Sequence, residues 1–166
     1  VDLGQKGAPI LKDAVGFKRA NLVLLESTYG DRDHKPLAET AAEFEHIVQQ
    51  AVARGAKILV PTFAVGRAQL LLYLVALMFR NGVVPKFPVF VDSPMAIEAT
   101  RIYWNHVELF DEDFQALRKE RPFQADLDTV RPTATADESK ALNDHPGPCL
   151  ILAGAANSFA HPEPGF

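Results

Sequence analysis

Hydrophobic residues occur in two patterns along this chain: a repeat every three or four positions, and short uninterrupted runs. Across residues 37–54 apolar side chains return every three or four positions, which predicts an amphipathic helix that ends at Gly55. The short apolar run at 57–61 predicts instead a strand buried on both faces, as in parallel sheets. Residues 67–80 are apolar on nearly every side, so they predict a helix that is covered over most of its surface.

The rest of the chain repeats this alternation of short apolar runs and capped helical segments. Ser93 followed by Pro94 is typical of a helix start, and Thr135 with Glu138 forms a capping box. The remaining predicted elements are strands at 10–11, 21–26, 88–91 and 149–153 and helices from 94, at 111–118 and from 135 to about 143. Alternating strands and helices predict an α/β fold with a mainly parallel sheet and flanking helices.

Polar chemistry gathers where the strand predicted at 21–26 ends, in the run E-S-T-Y-G-D-R-D-H. Ligands of open α/β sheets collect at the carboxyl ends of strands. Glu26 at this end is therefore a candidate general base or metal ligand, or else an acid satisfied by neighbouring amides. The turn behind it carries Asp31, Asp33 and His34, which have the donor types of a metal site and also the composition of a solvated turn. The sequence alone leaves these alternatives open.

Two strand-to-helix junctions place further polar groups at the same edge of the predicted sheet. They read P-T-F-A-V-G-R-A-Q at 61–69 and V-D-S-P-M-A at 91–96. Helix N-termini offer unpaired amides and partial positive charge, which suit phosphate, and Arg67 adds a forked, permanently charged donor. Neither junction matches a dinucleotide or P-loop fingerprint. The alternative is structural, with Ser93 as a helix cap and Gly66 as a packing glycine.

Composition narrows the class of protein. A chain of 166 residues with 48% hydrophobic residues predicts one compact domain, and a net charge of −4 restricts any nucleic-acid binding to a local surface. The single cysteine, Cys149, excludes an internal disulfide and fits a reducing compartment. The longest apolar run, at 70–79, is about half of what a membrane span needs. With no basic, apolar leader in view, we expect a cytoplasmic protein without membrane contact.

Taken together, the motifs around Glu26, at 61–69 and at 88–100 resemble the metallo-β-lactamase-fold RNA-processing proteins of the β-CASP group. Bacterial enzymes related to the cleavage and polyadenylation endonuclease are the most similar, and the likeness runs in order from Asp2 to about Ala153. The resemblance implies a partial metallo-β-lactamase core at 1–34, a β-CASP-like α/β domain at 35–153 and an irregular tail at 154–166.

The same resemblance assigns roles to individual residues. Asp2, in V-D-L-G, is similar to the family's aspartate that bridges two catalytic zinc ions. Glu26 is similar to an acid that orients a catalytic histidine. The resemblance implies that single-stranded RNA is the partner and that the cleft contacting it includes His34, Phe63, Arg67, Asp92 and Ser93.

Other family motifs do not occur in this chain. The family's H-x-H-x-D-H zinc motif is absent, and A-G-A-A-N-S-F-A-H-P-E-P-G-F stands where S-G-M-x-x-G-G-R is expected. His161 does not take the place of the missing histidine. Catalytic zinc needs at least three protein ligands. We therefore expect a truncated fragment of a zinc-dependent ribonuclease that binds no zinc and cleaves no RNA by itself.

The sequence also allows two alternatives to this interpretation. The chain could be a non-catalytic module that binds nucleic acid or a protein, including a second copy of itself through surface that a metallo-β-lactamase core would cover. It could also be a degenerate gene product without activity. Loss of salt-dependent RNA affinity in Arg67→Ala would favour nucleic-acid binding, whereas concentration-dependent dimerisation without RNA affinity would favour self-association.

Overall fold

The computed structural model of the chain describes residues 6–25 and 27–154. Asp2, Glu26 and His161, which the sequence singles out, lie outside the described residues. The described chain folds in the order α1 (Leu37–Ala53), β1 (Lys57–Thr62), α2 (Arg67–Arg80), β2 (Val89–Asp92), α3 (Pro94–Asn105), α4 (Glu112–Glu120), β3 (Val130–Pro132), α5 (Ala136–Ala141) and β4 (Cys149–Gly154). Short 3-10 turns at Val107–Leu109 and Phe123–Ala125 flank α4.

The four strands form one sheet in the order β1-β4-β2-β3, and every pair of neighbours is parallel. This confirms the predicted α/β fold with a mainly parallel sheet. Strand β4 lies in the centre, with Leu150 opposite Ile58 on one side and Val89 on the other. The last described strand, β4, is therefore inserted between β1 and β2, which brings the ends of β1, β2 and β4 to one edge.

Capping residues explain where several helices begin. The Ser93 hydroxyl accepts the Ala96 amide at 3.3 Å, and the Asp111 carboxylate accepts the Phe114 amide at 2.7 Å. The capping box predicted for α5 is present, since Thr135 and Glu138 satisfy each other's backbone amides. These side chains accept from amides that have no partner within the helix.

Alternation along the strands sends side chains to two different cores. Val89, Val91, Leu150 and Leu152 pack with α1 and α2 on one face of the sheet. Phe90, Cys149 and Ile151 pack with Leu142, just after α5, on the opposite face. The first face carries the larger core, and the second is covered over a smaller area.

A third cluster joins α2 to the segment around α4. Phe110, Phe114 and Phe123 are fully buried there. Beside them Arg80 donates to the buried carboxylate of Asp126, with 2.8 Å between Nε and Oδ2. None of the helices in the described ranges is long and apolar enough to cross a membrane.

The prediction of a strand at 21–26 is wrong for residues 21–25, which are the described part of that range. Residues 21–25 form no strand, and the side chains of 22–25 are between 71% and 89% exposed. A strand needs a neighbouring strand for its backbone hydrogen bonds, and no described strand pairs with this run. A hydrophobic run predicts that a segment will be buried, but it does not identify what buries it.

Other differences from the predictions are smaller. Strand β1 lies at an edge and is not buried on both faces, because Leu59 is 55% exposed while Ile58 and Val60 face the core. The short strand predicted at 10–11 is a single antiparallel bridge between Leu11 and Phe110. Strand β3 was missed, since it has three residues, of which only Val130 is a strongly strand-forming residue.

Candidate nucleic-acid interface

The carboxyl ends of three neighbouring strands meet at one edge of the sheet. Strand β1 ends at Thr62, β2 at Asp92 and β4 at Gly154, and the register pairs Thr62 with Gly154. A Cβ placed on Gly154 would lie 3.6 Å from the Ser93 hydroxyl, so β4 ends against the start of α3. The parallel sheet thus brings both predicted junctions, 61–69 and 91–96, to the same edge.

A buried glutamine holds the first junction in shape. The Oε1 atom of Gln69 accepts the Gly66 amide at 2.7 Å, and its Nε2 donates to the Ala64 carbonyl at 3.1 Å and the Thr100 hydroxyl at 2.9 Å. Gln69 is only 3% exposed, and Gly66 has a φ of 83°, which favours glycine. Sequence reasoning missed Gln69, although its position in the first turn of α2 was a usable capping signal.

The loop that Gln69 holds presents an aromatic ring and a cation to solvent. Phe63 is 66% exposed, and the Cζ atom of Arg67 lies 5.9 Å from the centroid of its ring. Arg67 is exposed and forms no ion pair with any described residue. An exposed ring next to an unpaired guanidinium offers a surface for base stacking and a donor for phosphate.

Asp92 and Ser93 lie at the same edge but are buried. The two oxygens of Asp92 accept hydrogen bonds from the Thr133 and Ser139 hydroxyls, each at 2.8 Å. Both residues are 7% exposed. Asp92 therefore ties β2 to the segments that carry β3 and α5, while Ser93 caps α3. The observed hydrogen bonds of Asp92 and Ser93 therefore stabilise this edge of the sheet. Direct contact of either residue with RNA stays a prediction.

The acidic turn that contains His34 is solvent-exposed. The ring of His34 meets the ring of Tyr29 edge-on, with 4.7 Å between centroids. Asp31 pairs with Arg32 at 3.0 Å, and this hydrogen bond lowers the pKa of the Asp31 carboxyl. Within 6–25 and 27–154, no group of three histidine, cysteine or acidic side chains could hold a metal ion. The described side chains of this turn are thus solvated, and a metal site that includes Glu26 stays untested.

Comparison with known proteins assigns the chain to a family. Residues 68–158 match the Beta-Casp domain. The chain belongs to the Beta-Casp family. The match begins in α2, immediately after the Phe63–Arg67 pair, and it confirms the resemblance drawn from the sequence motifs.

The Beta-Casp relatives of this chain have names from RNA metabolism. Ribonuclease TTHA0252 of Thermus thermophilus is 43% identical over 158 residues, which are 93% of this chain and 35% of the relative. Transcription termination factor FttA of Methanosarcina mazei is 30% identical over 142 residues, 82% of this chain and 22% of the relative. Endoribonuclease ysh1 of Schizosaccharomyces pombe is 31% identical over 108 residues, 64% of this chain and 14% of the relative. This Beta-Casp chain therefore spans about a third or less of the length of these proteins.

Proposed function

We propose that this Beta-Casp chain binds single-stranded RNA as part of an RNA-processing ribonuclease. Two of the relatives above are named as ribonucleases and one as a transcription termination factor. The observation that carries the proposal is the exposed pair of Phe63 and Arg67, at the sheet edge where ligands of parallel α/β proteins collect.

The geometry supports RNA binding that does not depend on the base sequence. A base stacks on the free face of the Phe63 ring, and the Arg67 guanidinium donates to a neighbouring phosphate. Neither contact distinguishes one base from another, because every base has a flat face and every nucleotide a phosphate. Gln69 fixes the loop in advance, so less conformational entropy is lost when RNA binds.

A role for zinc in this protein is implied only by the family resemblance. The resemblance implies two zinc ions, which would activate a water for attack on a phosphodiester. The described residues do not form a zinc site. Asp2 would supply one ligand and Glu26 would orient a histidine, and both lie outside the described residues. Because the family's H-x-H-x-D-H zinc motif is absent from this sequence, we expect the 166-residue chain to bind RNA without cleaving it. Zinc-dependent cleavage abolished by Asp2→Ala would overturn this expectation.

The RNA proposal is tested by fluorescence anisotropy with a labelled single-stranded oligoribonucleotide. Arg67→Ala should weaken binding about tenfold and make it less dependent on salt, because one phosphate contact is lost. Phe63→Ala should weaken binding by a similar factor through lost stacking. Arg101→Ala removes an exposed arginine of α3 and is the matched control. Equal affinity for all four proteins would contradict the proposal.

Self-association is the second candidate function. The apolar side chains at 22–25 form a contiguous exposed run, which is typical of a surface that contacts another protein. A second copy of the chain is the partner proposed.

The buried free thiol of Cys149 fits a protein that works in the reducing cytoplasm, which is the compartment we propose.

A further inference from the structure

Exposed apolar side chains gather at the sheet edge that carries Phe63 and Arg67. Within residues 37–154, the large apolar side chains with the greatest exposed fractions are Met95 at 68%, Phe63 at 66% and Val65 at 61%. Each follows the end of β1 or β2 by three residues or fewer. Exposed apolar side chains that gather in one place mark a surface where another molecule binds, whereas scattered ones need no explanation. We call these three side chains the apolar edge.

The charge around the apolar edge suits a polyanion. The segment 61–69 contains no acidic residue, and the acid in 91–96 is Asp92, which is buried and accepts hydrogen bonds from two hydroxyls. Arg67 is exposed and forms no ion pair with a described residue. An exposed cation beside apolar side chains, without an exposed carboxylate in either segment, favours a ligand that has both flat rings and phosphates.

Met95 lies in the first turn of α3, directly beyond β2, and this turn is fixed in place. The Ser93 hydroxyl accepts the Ala96 amide at 3.3 Å, and Pro94 occupies the first helical position. Ala96 is buried in the core that the sheet shares with α1 and α2. The exposed side chain of Met95 is therefore held at the sheet edge, although a methionine side chain is itself adaptable.

Phe63 and Met95 are placed to contact different bases. They follow β1 and β2, which lie on either side of β4. Since neighbouring strands are about 4.8 Å apart, the ends of β1 and β2 are separated by about 10 Å. Stacked bases repeat about every 3.4 Å along one strand, so about three base steps cover this distance. One strand of RNA can therefore place one base on Phe63 and a later base on Met95.

We propose that Met95 is a second base contact for single-stranded RNA, in addition to Phe63. This inference rests on the proposed function and adds to it a minimum ligand length of about four nucleotides. The Met95 thioether lies against the face of a base, because polarizable sulfur makes favourable contacts with aromatic rings. This contact, like stacking on Phe63, accepts any base.

The chain has two methionines, and they allow a direct test of the contact. Met78 is 3% exposed in the core, whereas Met95 is exposed at the edge. The test labels the methionine methyl groups with ¹³C and saturates the 166-residue chain with an adenine hexaribonucleotide. The Met95 methyl signal should shift upfield, because the face of an aromatic ring shields nearby nuclei, and the Met78 signal should stay in place. An unchanged Met95 signal at saturation would overturn the proposal.

Substitutions measure what the contact contributes to affinity. Met95→Ala should weaken binding of the same hexaribonucleotide about fivefold in fluorescence anisotropy, because one base contact is lost. Ile102→Ala is the matched control, since Ile102 is an exposed apolar residue two turns further along α3, about 10 Å from Met95. The control should leave the affinity unchanged. Neither variant should change the urea midpoint, because both side chains are exposed.

The outcomes separate this inference from the RNA proposal. If Phe63→Ala and Arg67→Ala weaken binding and Met95→Ala does not, RNA binds at the sheet edge without Met95 and the inference is wrong. Equal losses in Met95→Ala and Ile102→Ala would also overturn it, as would equal affinity of the unchanged protein for an adenine dinucleotide and the hexaribonucleotide. Unchanged affinity in all of these variants would overturn both proposals.

Discussion

The side-chain amide of Gln69 donates to the hydroxyl of Thr100, with 2.9 Å between Nε2 and Oγ1. The two residues are 31 positions apart in the chain, and their contact joins the first turn of α2 to α3. The same amide group holds the backbone at Ala64 and Gly66. One buried side chain therefore links the loop with Phe63 and Arg67 to the neighbouring helix.

Replacing Gln69 should reduce both stability and RNA binding. Gln69→Met keeps the volume of the side chain but leaves three polar groups without their partner, so we expect a loss of about 1–3 kcal/mol in the free energy of unfolding. RNA affinity should fall as well, because the loop is no longer held in place. Urea titration and anisotropy measure the two effects. Gln49→Met, on the exposed surface of α1, is the control and should change neither.

Asp126 and Asp128 make a matched pair of acidic residues, one buried and one exposed. Asp126 is fully buried and contacts both Arg80 and Arg121, whereas Asp128 pairs with Lys86 at the surface. Asp126→Ala leaves the largely buried guanidinium of Arg80 without its carboxylate, and should cost about 3–5 kcal/mol. Asp128→Ala should change the urea midpoint little, since exposed pairs are screened by water. Equal midpoints for the two variants would contradict this account.

The cap of α5 should make stability depend on pH. Hydrogen bonds from the amides of Ala134 and Thr135 lower the pKa of the Glu138 carboxyl below its ordinary value of 4.5. Because the folded state binds this proton less readily, the stabilisation is present above pH 4.5 and is lost as pH falls through the lowered pKa. Melting temperatures between pH 6 and 3 should therefore fall less steeply in Glu138→Gln than in the unchanged protein. Identical slopes would show that the cap contributes nothing.

The exposed apolar run at 22–25 should control self-association if a second copy covers it. Leu24 and Leu25 are 86% and 89% exposed. Replacing both with glutamine removes apolar area from the proposed contact, so the apparent mass in sedimentation velocity should shift toward that of a monomer. Leu59→Gln, at the exposed face of β1, is the control for a general gain in solubility. A monomeric unchanged protein at all concentrations would contradict the self-association proposal.

Local signals were enough to predict much of this fold. The helix Arg67–Arg80 has the predicted bounds, because a run of residues that favour helix lies between a glycine with positive φ and Asn81-Gly82. The starts of α3 and α5 were predicted for a similar reason, since Ser93 and Thr135 bond to amides only three residues away. Each of these interactions lies within one turn of the chain, so its signal can be read from neighbouring letters.

Long-range pairing decided the rest. Residues 22–25 have a strand-like composition and form no strand, while Val130–Pro132 has a weak signal and becomes β3 beside β2. The sequence motifs indicated the Beta-Casp family and the edge with Phe63 and Arg67. Only the tertiary structure showed that Asp92 is buried between two hydroxyls and that Gln69 reaches Thr100. Such contacts join distant parts of the chain, and their free energy depends on which surfaces meet, which no local pattern encodes.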